Sequence, residues 1–128
     1  KRVALMNPLN PKGEVLLQHK SKDAPNNPNM WCLFGGAIDD GESPEAAVHR
    51  EAMEELGVSM DAVELFKKTV DEEKQIERHY FSTTLSLDAE TLKNQQKEGD
   101  GLGFFSLAQM KGLSMNQAHL EVLKDFLA

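Results

Sequence analysis

Glu51, Glu54 and Glu55 stand within five positions of one another in the stretch GGAIDDGESPEAAVHREAMEELGV, residues 35–58. Ser43-Pro44 is a strong helix start, a hydroxyl at the N-cap followed by proline at the first helical position. Gly57 is a natural stop, so the spacing predicts a helix over Pro44–Leu56. At about 100° per residue the three glutamates fall within an arc of roughly 100°. Ala46, Ala52, Met53 and Leu56 take the other side and are expected to face the core. Glu51 and Glu55 are an i,i+4 like-charge pair, which costs a few tenths of a kcal/mol in an isolated helix. They also lie towards the C-terminal half, where the helix dipole disfavours negative charge. Places that break local rules without local gain tend to be functional. Three carboxylates on one face supply the hard oxygen ligands that Mg²⁺ or Mn²⁺ prefers. A solvated acidic face is the ordinary alternative for three glutamates taken alone. An EF-hand over Asp39–Glu51 fails, because the alternating acids and the central glycine are missing.

The surroundings of the helix narrow the choice. Gly36, Glu42, Arg50-Glu51, Glu54-Glu55 and Gly57-Val58 occur at fixed spacing, and the stretch resembles the Nudix box throughout. The resemblance implies an α/β/α sandwich and cleavage of a nucleoside diphosphate linked to another group, with Mg²⁺ or Mn²⁺. Carried over by position, Glu51, Glu54 and Glu55 would be the metal-binding carboxylates and the carbonyl of Gly35 a further ligand. Glu42 and Arg50 would form the ion pair that braces the loop against the helix. The glycine pair, Gly35-Gly36, lets backbone approach a pyrophosphate closely.

Outside the box the chain is most similar to MutT-type members, small hydrolases of nucleoside triphosphates. That likeness makes Lys20 and Arg78 candidate phosphate contacts. It makes Glu98 an extra ligand or general base, on a polar loop expected to be mobile. Glu51 is the other candidate base, and Asp100 rivals Glu98. Asn116 is a candidate reader of a purine edge, with a helix-capping role as the alternative. Leu33 and Tyr80 are expected in the base pocket. Phe34 stands where many members have proline, and it either alters the pocket floor or fills core.

Several strands must hold these groups in place. Arg2–Met6 and Glu14–His19 are apolar runs around the turn cluster Asn7–Gly13 and read as a hairpin. Lys20–Asn29 is a loop by composition, and Trp31–Phe34 is a buried run entering the glycine pair. Val63–Val70 and Ile76–Leu87 read as strands joined by Val70–Gln75. Asp88–Gly101 is polar and mostly irregular, with one helical turn near Ala89–Lys93. Leu102–Leu107 is a last strand. Ser114–Ala128 repeats leucines at helical spacing and reads as an amphipathic helix. The pattern gives one α/β domain over residues 1–128 with a mixed sheet.

Net charge is −7, which argues against a nucleic-acid polymer as partner. A small anionic nucleotide stays compatible, because a divalent cation bridges it to an acidic site. No apolar run approaches the roughly 18 residues of a membrane span. The single Cys32 and the four scattered histidines match neither an internal disulfide nor a zinc site. Cytoplasm is therefore the expected compartment, and the state is monomer or homodimer. Lys1 is not methionine, so a preceding segment is expected to be absent from this numbering. The leading reading is a pyrophosphohydrolase of a (d)NTP such as an oxidised dGTP. A hydrolase of nucleoside diphosphate sugars or ADP-ribose-like conjugates is the alternative. A non-catalytic nucleotide sensor ranks last, because the glutamates are all retained.

Overall fold

In the computed structural model, which describes residues 1–128, strand β1 (Arg2–Leu9) turns back into β2 (Val15–His19). The hairpin is the expected one, with β1 three residues longer. Asn10 closes its turn: its Oδ1 accepts the N–H groups of Lys12 and Glu14 at 3.0 and 2.9 Å. The apolar run before the glycines divides into β3 (Trp31–Cys32) and β4 (Phe34–Ala37), and the acidic helix α1 covers Pro44–Leu56. Its ends are as expected: the Ser43 hydroxyl accepts from the Ala46 N–H and Gly57 adopts φ +66°.

Strands β5 (Glu64–Asp71) and β6 (Ile76–Thr84) form a second hairpin, and β6 ends short of the expected Leu87. The polar segment contains a full short helix, α2 (Ala89–Gln95), where a single turn was expected; Asp88 caps it by accepting from the Thr91 N–H. Strand β7 (Gly101–Phe105), the short α3 (Leu107–Met110) and α4 (Gln117–Phe126) complete the chain. Helix α4 starts later than Ser114 because that segment is spent elsewhere. Trp31 donates to the Ser114 carbonyl at 2.8 Å and accepts from the Asn116 N–H at 3.0 Å.

All seven strands belong to one sheet, ordered β3-β2-β1-β6-β5, with β4 also on β1 and β7 also on β2. The sheet is mixed: β1 runs parallel to β6 and antiparallel to β4. Buried on both faces, β1 sends Ala4 and Met6 to one side and Leu5 to the other, as the two-residue pleat requires. Ala47, Val48, Ala52 and Leu56 of α1 and Leu92 of α2 pack on the first side. Leu120 and Leu123 of α4 and Met110 of α3 pack on the second, with Leu17, Leu33 and Tyr80. The result is the expected α/β/α sandwich. Phe34 is fully buried in the first core, so the aromatic in place of proline fills core.

The inward face of α1 differs from expectation. Ala46 is exposed and Met53 is 47% exposed, while Ala47, Val48, Ala52, Glu55 and Leu56 are buried. The helix is rolled so that Glu55 points beneath β4, where the Gly35 N–H donates to its Oε1 at 2.9 Å. A hydrogen bond to a backbone donor twenty residues away sets the roll.

Candidate active site

The acidic face of α1 is built around one cation. Arg50 grips Glu42 with two parallel bonds, Nε to Oε2 at 2.8 Å and Nη2 to Oε1 at 3.0 Å. Its Nη1 donates to Glu51 at 2.9 Å and to Glu54 at 3.2 Å, and its Nη2 also reaches the Ala37 carbonyl at 3.0 Å. The guanidinium thereby joins the loop, the end of β4 and two of the three crowded glutamates. Hydrogen bonds from Arg50 and from the Asp39 N–H hold the Glu42 carboxyl down at about 2.

Glu55 is offset differently. It is 2% exposed, and burial pushes its carboxyl up to about 9, reinforced by Glu98 beside it. Glu98 is shifted the other way, first by its hydrogen bond with Glu55 and also by Lys20. The two neighbouring carboxyls are thus pushed in opposite directions, Glu55 up and Glu98 down. Burial raises Glu51 as well, against the lowering effect of Arg50. No three acidic side chains close on a single point in this arrangement, because Arg50 draws Glu51 and Glu54 to itself.

The glycine pair fits this packing in two ways. Gly35 has φ +146°, and a Cβ there would run into the Ala4 carbonyl oxygen. At Gly36 a Cβ would lie 2.6 Å from Glu51 Oε1. The first glycine lets β4 lie on β1, and the second leaves room for a glutamate.

Several hydrogen bonds tie the loop carrying Glu98 to its neighbours. Lys97 donates its N–H to the Glu55 carbonyl at 2.8 Å, and Asp100 donates its N–H to the His19 carbonyl at 2.9 Å. Gln96 Nε2 bridges the carbonyls of Glu98 and Gly101 at 2.8 and 2.9 Å. Glu98 therefore already lies by Glu55, with its Oε1 3.2 Å from Lys20 Nζ. Asp100 turns away to pair with His19 Nδ1 at 2.6 Å.

These groups border one cleft of about 590 Å³. Gly35, Gly36, Glu51, Glu98 and Lys20 line it, with Arg78, Leu33 and Asn116. Glu54 stands outside on the helix surface, and Glu55 lies beneath. Arg78 makes no ion pair within the chain. Tyr80 is not in the cleft: it is fully buried and borders a larger hollow of about 640 Å³ between β5, β6 and α4, which holds none of the acidic helix residues. The Asn116 amide is spent within the chain. Its Oδ1 caps α4 through the His119 N–H at 3.0 Å, and its Nδ2 donates to Asn27 at 2.8 Å. Gln18, Cys32 and His119 also line the cleft and were not singled out from sequence. The available signal was Gln18 standing two residues before Lys20 on a strand, hence on the same face. His119 Nδ1 accepts from the Leu33 N–H at 3.2 Å, and burial lowers its pKa to about 3. The ring is neutral with its proton on Nε2.

The NUDIX domain model matches residues 1–126. The chain belongs to the Nudix family. An uncharacterized Nudix hydrolase of Listeria monocytogenes is 42% identical over 54 residues, which covers 41% of this chain and 32% of that protein. An RNA pyrophosphohydrolase of Roseobacter denitrificans is 35% identical over 63 residues, 49% of this chain and 38% of the relative. The chain thus spans about a third of the length of these curated Nudix relatives. Among solved structures, a MutT protein from Methanosarcina mazei superposes with TM-score 0.77 at 23% identity, covering 98% of this chain and 91% of that one. The Nudix domain of Shewanella oneidensis NrtR, solved with ADP ribose, gives 0.75 at 19% identity, over 96% and 83%. At these identities the superpositions show a shared Nudix fold. No helix is long and apolar enough to cross a membrane.

Proposed function

We propose that this chain is a metal-dependent Nudix pyrophosphohydrolase. Its substrate is a nucleoside diphosphate linked to a further group, foremost a (d)NTP such as an oxidised dGTP, cleaved to the monophosphate and pyrophosphate. The observation that carries this is the meeting in one cleft of two carboxylates and two cationic side chains, one of them, Arg78, without an ion pair in the chain. Glu51 and Glu98 line the same walls as Lys20 and Arg78. Cations alone would suit a simple anion binder, and carboxylates alone would repel one. Together they suit a polyphosphate held through a divalent ion.

The residues present fit Mg²⁺ or Mn²⁺ by donor chemistry. Glu51, Glu54, Glu55, Glu98 and the Gly35 carbonyl are hard oxygen donors. The Glu55–Glu98 contact, where burial pushes one carboxyl up and its neighbours push the other down, is a place where a cation would take over from a proton. When bound, the ion supplies charge neutralisation at the anhydride oxygens and a lower pKa for the attacking water. Lys20 and Arg78 hold phosphate oxygens, and the bare Gly36 backbone admits the pyrophosphate. Glu98 accepts the proton from water, since its carboxyl is ionised while Glu51 is engaged by Arg50. Arg50 and Glu42 keep the helix and loop in register throughout.

A nucleoside diphosphate sugar or ADP-ribose-like conjugate is the second reading, supported by the NrtR Nudix domain solved with ADP ribose. A screen of (d)NTPs, sugar nucleotides and a 5′-triphosphorylated RNA with Mg²⁺ and Mn²⁺, with product identification, separates these. Pyrophosphate as product supports the first and a phosphosugar the second. Tight binding without turnover of any of them would make the chain a sensor.

A further inference from the structure

We propose that His119 is a specificity-determining residue whose ring Nε2–H donates a hydrogen bond to an acceptor atom on the edge of the nucleobase. The proposal rests on the nucleotide-hydrolase reading above. His119 stands in the first turn of α4, where its backbone N–H is capped by Asn116. It is 4% exposed and lines the cleft. Nδ1 accepts from the Leu33 N–H at 3.2 Å. A backbone N–H can only donate, so Nδ1 carries no proton and the tautomer is fixed with the proton on Nε2. Burial keeps the ring in that neutral form. The Nε2–H has no partner in the chain, yet it is not sealed off. The side-chain atoms enclosed without a partner are those of Asn7, Gln18 and Tyr80. One oriented donor therefore opens on the cleft.

The cleft has two unlike ends. At Gly36 a Cβ would meet the Glu51 carboxylate, so that end faces the acidic helix and takes the phosphates. Towards His119 the wall is apolar. Leu5 and Leu33 line it, and both belong to the core packed under α4. Leu33 stands three residues before Gly36, at most about 10 Å along the chain. A nucleotide with its phosphates at Gly36 thus brings its base alongside Leu33. A flat base covers its faces with leucine side chains and leaves only its polar edge to be satisfied. A neutral donor there suits a ring nitrogen or a carbonyl oxygen. It opposes an exocyclic amino group, whose hydrogens would face its own. The fixed tautomer turns this one contact into a choice among bases.

The test is a cycle between enzyme and substrate. kcat/KM is measured with Mg²⁺ for the four nucleoside triphosphates, then for analogues of the best one that each lack a single base acceptor, such as a 7-deaza purine or a base without its carbonyl. In the wild type one analogue should lose about 10- to 100-fold. His119→Asn removes the Nε2 donor but keeps an acceptor near the Leu33 N–H, because its Oδ1 lies close to where Nδ1 was. It should lose the same factor on the full substrate and nothing further on that analogue. His119→Gln, whose amide N–H reaches towards the Nε2 position, should recover part of the loss. A wild type indifferent to every analogue, or losses that multiply instead of overlapping, would overturn the proposal. A second readout needs no variant to fold. In wild type carrying isotope-labelled histidine, the His119 Nε2–H resonance should shift when the monophosphate product of the best substrate binds, and stay in place with the acceptor-deficient monophosphate. A resonance that no bound nucleotide moves, or that both move equally, overturns the proposal as well. A wild type that hydrolyses none of the nucleotides removes the hydrolase reading itself, and the resonance then decides on His119 separately.

Discussion

Arg50 and Glu42 meet as two parallel forks, 2.8 and 3.0 Å apart at their paired atoms, and the same guanidinium reaches Glu51, Glu54 and the Ala37 carbonyl. A single positive charge thus aligns the loop, a strand end and the acidic helix. Arg50→Ala should lower metal affinity or turnover about 10- to 100-fold, as loss of a ligand-orienting partner does. It should also lower the melting temperature, since several acids lose their counter-charge. Arg50→Lys restores charge without the fork and should recover only part of either. Metal titration and thermal melts check both, and an unchanged Arg50→Ala would remove the bracing role.

Glu55 gives a pH signature. Its folded pKa is raised from 4.5 to about 9, so the folded state keeps a proton that the unfolded state releases. The stability from that proton is complete below about pH 4.5 and is lost as pH climbs towards 9. Without metal, melting temperature should fall across this window, and Glu55→Gln should flatten the fall while keeping the Gly35 contact. Saturating Mg²⁺ should reverse the slope in the wild type, because the ion competes with the proton. Glu55→Gln and Glu54→Gln should each cut turnover by orders of magnitude. Near-normal rates in saturating Mg²⁺ for both variants would sink the metal-site reading.

Glu98 and Asp100 are separated by their partners. Glu98 faces Glu55 and Lys20, whereas Asp100 is bound to His19. Glu98→Gln should lower kcat by about 10²- to 10⁴-fold, the usual worth of a positioned base, with KM within a few-fold. Asp100→Asn should keep kcat within a few-fold. If Asp100→Asn is crippled and Glu98→Gln is not, the base has been misassigned. If neither matters, Glu51 becomes the candidate.

The adjacent glycines should fail differently. Gly35→Ala meets the Ala4 backbone and carries a strained positive φ, so it should destabilise the fold and give little soluble protein. Gly36→Ala meets only the Glu51 carboxylate, so melting temperature should move little while turnover drops tenfold or more. Matched effects of the two variants on stability and rate would contradict this division.

The helix ends were legible because cap, proline and stop signals are local: Ser43, Pro44 and Gly57 act on their own neighbours. The inward face of α1 was not, because Glu55 takes its direction from the Gly35 N–H, which the helical period does not contain. Polarity correctly made residues 96–100 a loop. Its fixed position comes from the carbonyls of Glu55 and His19, far off in sequence. Asn116 and Tyr80 illustrate the same limit. Each was placed near the site by likeness, but one spends its amide on Asn27 and a helix start, and the other faces a different hollow. Gln18 was readable in principle from its spacing to Lys20, though only burial reveals that its oxygen lacks a partner.

The parallel pairing of β1 with β6 bears on how the chain reaches this state. Arg2 lies beside Glu77, 75 positions later, so the central strand cannot gain that neighbour until the second hairpin exists. Loop-closure entropy is spent before such a contact returns anything, which slows folding. On a ribosome adding about 5–20 residues per second, β1 waits several seconds for β6 to emerge. In that interval Ala4, Leu5 and Met6 have only β2, β4 and α1 to shelter them. Substitutions that weaken the early β1–β2 turn, such as Asn10→Ala, would therefore be felt first as aggregation during synthesis.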